Sequence, residues 1–136
     1  MLPEPSPHGK SILPVKLHLA HTEGRNAVTA YGLGFVAINR VRYERSLVVL
    51  PHRLVEGWNV SAAQGLSMEA VAFLATLGAE IVLIGTGETL RFPPLSTLRP
   101  LVDAGIGFEV MDTNAACRTY NILMAEDRKV AAALLI

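Results

Sequence analysis

The sequence predicts an α/β fold of three layers, with a mixed central sheet, an N-terminal β-meander and helices packed on the sheet. Three observations lead there. Between Val15 and Leu50, short apolar runs at strand spacing are separated by turn residues. From Ser67 onward, helical and strand patterns alternate, and strand–helix–strand units imply parallel pairing with right-handed crossovers. A length of 136 residues with 51% hydrophobic content suits one domain with a sizeable core, and with aromatics at only 6% that core must be mostly Leu, Val, Ile and Ala.

The elements follow in order. Residues 1–13 read as a flexible arm rich in proline, which fixes φ and removes amide donors, and residues 14–136 read as the single domain. Val15, Leu17 and Leu19 alternate with polar residues, as in a strand. Glu23-Gly24-Arg25 is a turn. Leu33 to Ile38 is the second strand, Asn39-Arg40 a turn, and Ser46 to Leu50 the third strand of the meander. Pro51 to Leu66 has no clear periodicity, and so long a connection is often functional.

Ser67 then caps a helix, its hydroxyl accepting from the free amides of the first turn, and Glu69 suits the positive end of the dipole. Ala70, Leu74 and Leu77 share a face, and Gly78 stops the helix. Glu80 to Gly85 is a continuous apolar run, the pattern of a strand covered on both faces. With Thr97 as N-cap, Pro100 falls in the first turn of the next helix, where its missing N–H costs nothing; this helix ends at Gly105. Ile106 to Met111 is a strand. Asp112 or Thr113 caps a helix running to about Ala125, with Cys117, Tyr120 and Met124 on one face, and Lys129 to Ile136 closes the chain as a strand.

Charge and composition exclude several classes. Lys+Arg and Asp+Glu are 12 each, so there is no basic excess to displace counterions from nucleic acid. Arg40, Arg42 and Arg45 are the best candidates for a basic face, and a solvated sheet edge is the preferred account of them. One cysteine, Cys117, precludes an internal disulfide and suits a reducing compartment. Met1 to Pro14 lacks a charged start followed by an apolar stretch, which reads against a secretory signal, and the absence of arginine there reads against a transit peptide. A cytoplasmic location is expected if the chain is bacterial. His18 and His21 fall on opposite faces of an extended segment, and His8 and His52 stand apart, so no metal site or cofactor is expected.

Candidate chemistry is sparse. Gly85-Thr86-Gly87 follows a buried strand, where α/β folds place ligands, but Leu90 stands where the third glycine of G-x-G-x-x-G belongs. Asp112 and Thr113 open a helix whose amides could bind an anion or activate Cys117, or could be consumed by the cap itself. Asn121 lies mid-helix among apolar residues, where its amide is either a clamp on neighbouring backbone or a ligand contact. Trp58, with Asn59 beside it, is either an interface anchor or a lid over the core.

The segments Gly57-Trp58-Asn59-Val60, Ile81 to Gly87 and above all Gly105 to Ile136 resemble the family of mitochondrial complex I assembly factor 3 and its uncharacterised bacterial and archaeal relatives. The pattern G-I-x-x-E-V-x-D-T-x-x-A-C-x-x-[YF]-N-x-L with a closing A-A-L-[LI] carries it. The resemblance implies a three-layer α/β fold and a non-enzymatic accessory role through protein–protein binding, with respiratory complex I subunits or assembly factors as partners. It brings no catalytic residues. Its signature residues, Gly85, Gly87, Asp112, Thr113, Cys117 and Asn121, are compatible with a pocket and with a packing motif. Two departures stand out: Pro100 within a helix, and Asp127 where the family often has glycine in a left-handed turn.

Overall fold

The computed structural model describes residues 13–19 and 22–136. His8, His21 and the arm expected over residues 1–13, apart from Leu13, lie outside them. The first sheet is an antiparallel meander of β1 (Val15–Lys16), β2 (Val28–Gly32), β3 (Phe35–Ile38) and β4 (Val41–Tyr43), paired in that order. Two details differ from expectation. β2 is a strand the apolar pattern does not reveal, and Leu33 belongs to the turn before β3 rather than to a strand. Gly34, at φ +72°, reverses the chain so that Gly32 faces Phe35 and Leu33 points outward. Asn39 and Arg40 both have positive φ and make the two-residue turn into β4, so Arg40 is a turn residue and not a strand residue. Arg42 lies on β4, its guanidinium 4.0 Å from the centre of the Phe35 ring and paired with Glu44.

Ser46 to Leu50 does not join the meander. β5 (Leu47–Leu50) belongs to a second, five-stranded sheet with β6 (Arg53–Val55), β7 (Ile81–Gly85), β8 (Gly107–Met111) and β9 (Val130–Leu134), in the order β6-β5-β9-β7-β8. β5, β7 and β9 occupy the interior, which explains their unbroken apolar runs: Val48, Val49, Val82, Leu83, Ile84 and Ala131 to Leu134 are all inaccessible. β7 runs parallel to β8 and β9, while β5 runs antiparallel to β9 and β6, so the sheet is mixed.

α1 (Met68–Leu74), α2 (Leu95–Asp103) and α3 (Thr113–Ala125) complete the layers. β8 lies on one side of β7 and β9 on the other, so right-handed crossovers put α2 and α3 on opposite faces. Val48, Leu50, Val82, Ile84, Ala131 and Ala133 meet α1 and α2 through Val71, Leu74, Leu98 and Leu101. Leu47, Val49, Leu83, Val130, Ala132 and Leu134 meet α3 and the meander through Ala116, Cys117, Tyr120, Met124, Val28, Tyr31 and Ile38. The alternation along each strand divides the residues between the two cores.

Ser67 caps α1 as expected, and of the two candidates for α3 Asp112 is the cap; each accepts from the amide three residues on. α2 does not. It begins at Leu95 after Pro94, with no side-chain cap, and Pro100 lies in its interior rather than its first turn. The Thr97 amide is bonded to Pro94 O at 2.9 Å, so the turn has closed before Thr97 can act as a cap. Burial of Leu98 and Leu101 offsets the backbone hydrogen bond that proline cannot make.

Polar groups join the meander to the rest. Asn121 accepts from Val28 N at 2.9 Å and donates to Val28 O at 2.8 Å, acting as a neighbouring strand would. Tyr120 Oη donates to Asn26 O, Asn26 Nδ2 to Leu50 O, and Asn39 Nδ2 to Asn26 Oδ1. Asp127, at φ +59°, takes the left-handed conformation where the family often has glycine, and its carboxylate meets Arg25 Nη1 at 2.6 Å.

Asn121→Ala strands the amide and carbonyl of Val28 in the interior and lowers unfolding free energy by about 2–4 kcal/mol, read by urea denaturation. Asp127→Gly relieves the left-handed strain while losing the ion pair, a net change under about 1 kcal/mol; Asp127→Ala suffers both losses and costs roughly 1–2 kcal/mol. Equal effects of the two Asp127 substitutions would show that the turn carries no strain.

Candidate functional site

The residues singled out after β7 and at the start of α3 meet at one end of the five-stranded sheet, the rim where β7 and β9 finish. Gly85 ends β7 so close to α3 that a β-carbon there would lie 2.8 Å from Thr113 Cα. Gly87, at φ +109°, would place one 2.8 Å from Ala62 Cβ. Thr113 Oγ1 accepts from Gly87 N and donates to Leu135 O, both at 2.8 Å, and Thr113 N donates to Gly87 O. Thr86 N is bonded to Met111 O and Leu135 N to Gly85 O, while Thr86 Oγ1 donates to Thr89 O. Asp112 Oδ1 receives Ala115 N. The amides of Thr86, Gly87, Thr113 and Ala115 are therefore bonded within the chain, and the Asp112 carboxylate stands beside them.

Cys117 lies one turn into α3, inaccessible, and Asn121 a further turn along. Burial pushes the Cys117 thiol up from 9.0 to about 12, with Arg118 opposing and Asp112 adding to the shift. That is the reverse of activation. Tyr120 is raised in the same direction, chiefly by burial. Among the described residues, no group of three or more His, Cys, Asp or Glu could hold a metal ion, and His18 and His52 are exposed.

The Trp58 loop packs beside this junction. Trp58 is half-buried against the core beneath α1 and α2, and its Nε1 is a buried donor with no partner among the described residues. Asn59 is exposed. Ala62 N donates to Ile136 O, which fixes the loop to the end of β9.

Two features have no signature in the sequence. The segment after Gly87 exposes Leu90, Phe92 and Leu95 at 59%, 64% and 73%; apolar residues interrupted by Pro93 and Pro94 have no periodicity to mark a face. At the opposite end of the sheet, a cleft of about 380 Å³ opens where β5 ends and β7 and β9 begin, among Arg25, Arg53, Arg128 and Lys129. These cations come from three distant stretches, and only the fold gathers them. No helix among the described residues is long and apolar enough to cross a membrane.

The raised thiol also sets a pH dependence. Its folded-state value exceeds its unfolded one, so its contribution to stability is complete below 9 and is lost as pH climbs toward 12. Unfolding free energy falls by about 2 kcal/mol between pH 8 and 10.5 through this group, and Cys117→Ala removes that contribution, leaving the fall above pH 10 that Tyr120 sets. Native protein leaves a thiol-specific chromogenic reagent unreacted at pH 8 until denaturant is added; prompt reaction would contradict the buried placement.

The family described as a protein of unknown function (DUF498/DUF598) matches residues 28–135. The NADH dehydrogenase [ubiquinone] 1 alpha subcomplex assembly factor 3 of Bos taurus is 39% identical over 105 residues, covering 75% of this chain and 55% of that protein. The 13 kDa major membrane protein of Francisella tularensis is 28% identical over 106 residues, covering 77% of this chain and 86% of that protein. A Bordetella parapertussis protein of known crystal structure superposes with a TM-score of 0.77 at 41% identity, covering 82% of this chain and 96% of that one. The chain spans little more than half the length of the vertebrate assembly factors it matches. With the match running from β2 to the end of β9, and with the same fold in a relative 41% identical, this chain belongs to the DUF498/DUF598 family, alongside the animal assembly factors and their bacterial relatives.

Proposed function

We propose that this protein is a non-enzymatic accessory factor that acts by binding other proteins, with respiratory complex I subunits or assembly proteins as its partners. The observation that carries this reading is the relation to the animal assembly factors, at 39% identity for the bovine protein. The surface adds support. Leu90, Phe92 and Leu95 project from one short stretch that begins at Gly87, and Gly87 packs against Ala62 of the Trp58 loop. Apolar side chains this exposed on adjoining loops are the material of a protein contact. In this reading Trp58 stiffens the loop from beneath and Asn59 faces the partner.

The cluster of Gly85, Thr86, Gly87, Asp112, Thr113, Cys117 and Asn121 serves packing in the same reading. Its close approaches leave no space for a ligand beside Gly85, and the hydroxyls of Thr86 and Thr113 and the amide of Gly87 are bonded within the chain.

Crosslinked affinity purification of the tagged chain from its native host tests the proposal. Complex I subunits or assembly proteins are expected to be enriched over a tagged control. Phe92→Ser with Leu95→Ser, both exposed, is expected to cut their recovery at least fivefold with the melting temperature unchanged. Recovery unaltered by these changes removes the apolar loop from the contact, and a clean preparation without complex I proteins overturns the partner assignment.

A further inference from the structure

The cleft at the end of the sheet opposite Gly85 is unlike the rest of this electrically balanced chain. The chain has 12 Lys+Arg against 12 Asp+Glu, yet four of those cations and one carboxylate line this single cleft. Its floor is apolar, made by Leu50, Leu77, Ala79, Met124 and Val130. The charges around that floor divide into a used and an unused set. Arg25 donates to Met124 O and Thr22 O and pairs with Asp127, so the one carboxylate is already neutralised and the carbonyl end of α3 is already capped. The exposed side chains of Arg53, Arg128 and Lys129 have no ion-pair or hydrogen-bond partner among the described residues. Three cations held around one concavity repel each other, and an anion seated among them relieves that repulsion.

A volume of about 380 Å³ lies in the range of small-molecule sites, which combine an apolar lining with a few convergent polar groups. The neighbouring cleft on the other side of Arg25, with Leu19, Glu23 and Asp127, has no cation in its lining besides Arg25, so of the two clefts the first carries the unpaired cations. The cleft is open on one side, and its volume suits a compact ligand, whereas a broad acidic protein surface would need a larger and flatter contact.

We propose that this cleft binds a small organic anion, its carboxylate or phosphate held by Arg53, Arg128 and Lys129 and its apolar part lying on Leu50, Leu77 and Met124. The site is independent of the protein-binding reading, since it uses none of the residues of the Trp58 or Phe92 loops.

Titration of the ¹⁵N-labelled full chain with hexanoate, hexyl phosphate and neutral hexanol tests it. At least one of the two anions is expected to give saturable amide shifts confined to residues 50–53, 77–79 and 127–130. The head group that binds more tightly distinguishes a carboxylate ligand from a phosphate one. The combined variant Arg53→Gln, Arg128→Gln, Lys129→Gln, whose spectrum away from the cleft should superimpose on the parent, is expected to weaken binding at least tenfold. Absence of saturable shifts at the cleft, hexanol binding as tightly as both anions, or undiminished binding by the variant would overturn the assignment. So would an acidic peptide that shifts these amides when neither anion does.

Discussion

The two hydrogen bonds between the Asn121 amide and the backbone of Val28 are the interaction on which the arrangement of layers depends. The meander and the five-stranded sheet share no ladder, and the backbone bond from Asn26 N to Pro51 O, at 2.7 Å, lies outside both sets of strand pairs. Asn121 supplies both a donor and an acceptor from the middle of α3 and satisfies β2 as an extra strand would. Its position beside Cys117, Tyr120 and Met124 places it inside the apolar contact, where an unpaired amide is costly. That cost gives the pair its directional force: hydrophobic burial draws α3 and β2 together, and only one register satisfies all four polar groups. Asn26, Asn39 and Tyr120 extend the same stitching to β5 and to the turn after β3.

The two ends of the five-stranded sheet, where its interior strands start and finish, are built differently. At the end where β7 and β9 finish, small residues permit close approach. Gly85 admits α3, Gly87 admits Ala62, and Thr113 bridges β7 to β9 through one hydroxyl. The backbones come close here, the amides of Thr86, Gly87, Thr113 and Ala115 are bonded within the chain, and the loops that carry Trp58 and Phe92 lie beside them. At the other end, the turns after α1 and α3 stand apart and leave a cleft. Arg25 is the one cation there held by several bonds, and it fastens the left-handed Asp127 turn to the end of α3. The departure from glycine at position 127 is thus coupled to a charge far away in sequence.

Single-residue chemistry was legible at several positions where the cause was local. The caps at Ser67 and Asp112, the left-handed stops at Gly78 and Gly105, and the two-residue turn at Asn39-Arg40 each depend on a side chain or a φ angle within a few residues. Placement of Cys117, Tyr120 and Met124 on one face of α3 followed from helical spacing. The candidate cluster around Gly85 and Thr113 was legible as a set because it sits at the ends of two neighbouring strands, whereas whether its polar groups were free was not, because the Thr86 amide finds its partner in Met111 and the Thr113 hydroxyl in Leu135.

The sequence by itself determined the α/β class, the alternation of strands and helices after Ser67 and the covered strand β7, because periodicity and capping are properties of contiguous residues. Only the tertiary structure decided that β5 leaves the meander to pair with β9, because an apolar run does not state its partner. It alone placed Pro100 inside α2, where packing of Leu98 and Leu101 overrides a local preference. It alone brought Arg25, Arg53, Arg128 and Lys129 around one cleft, since charges scattered along a neutral chain acquire a common field only when the fold sets their distances.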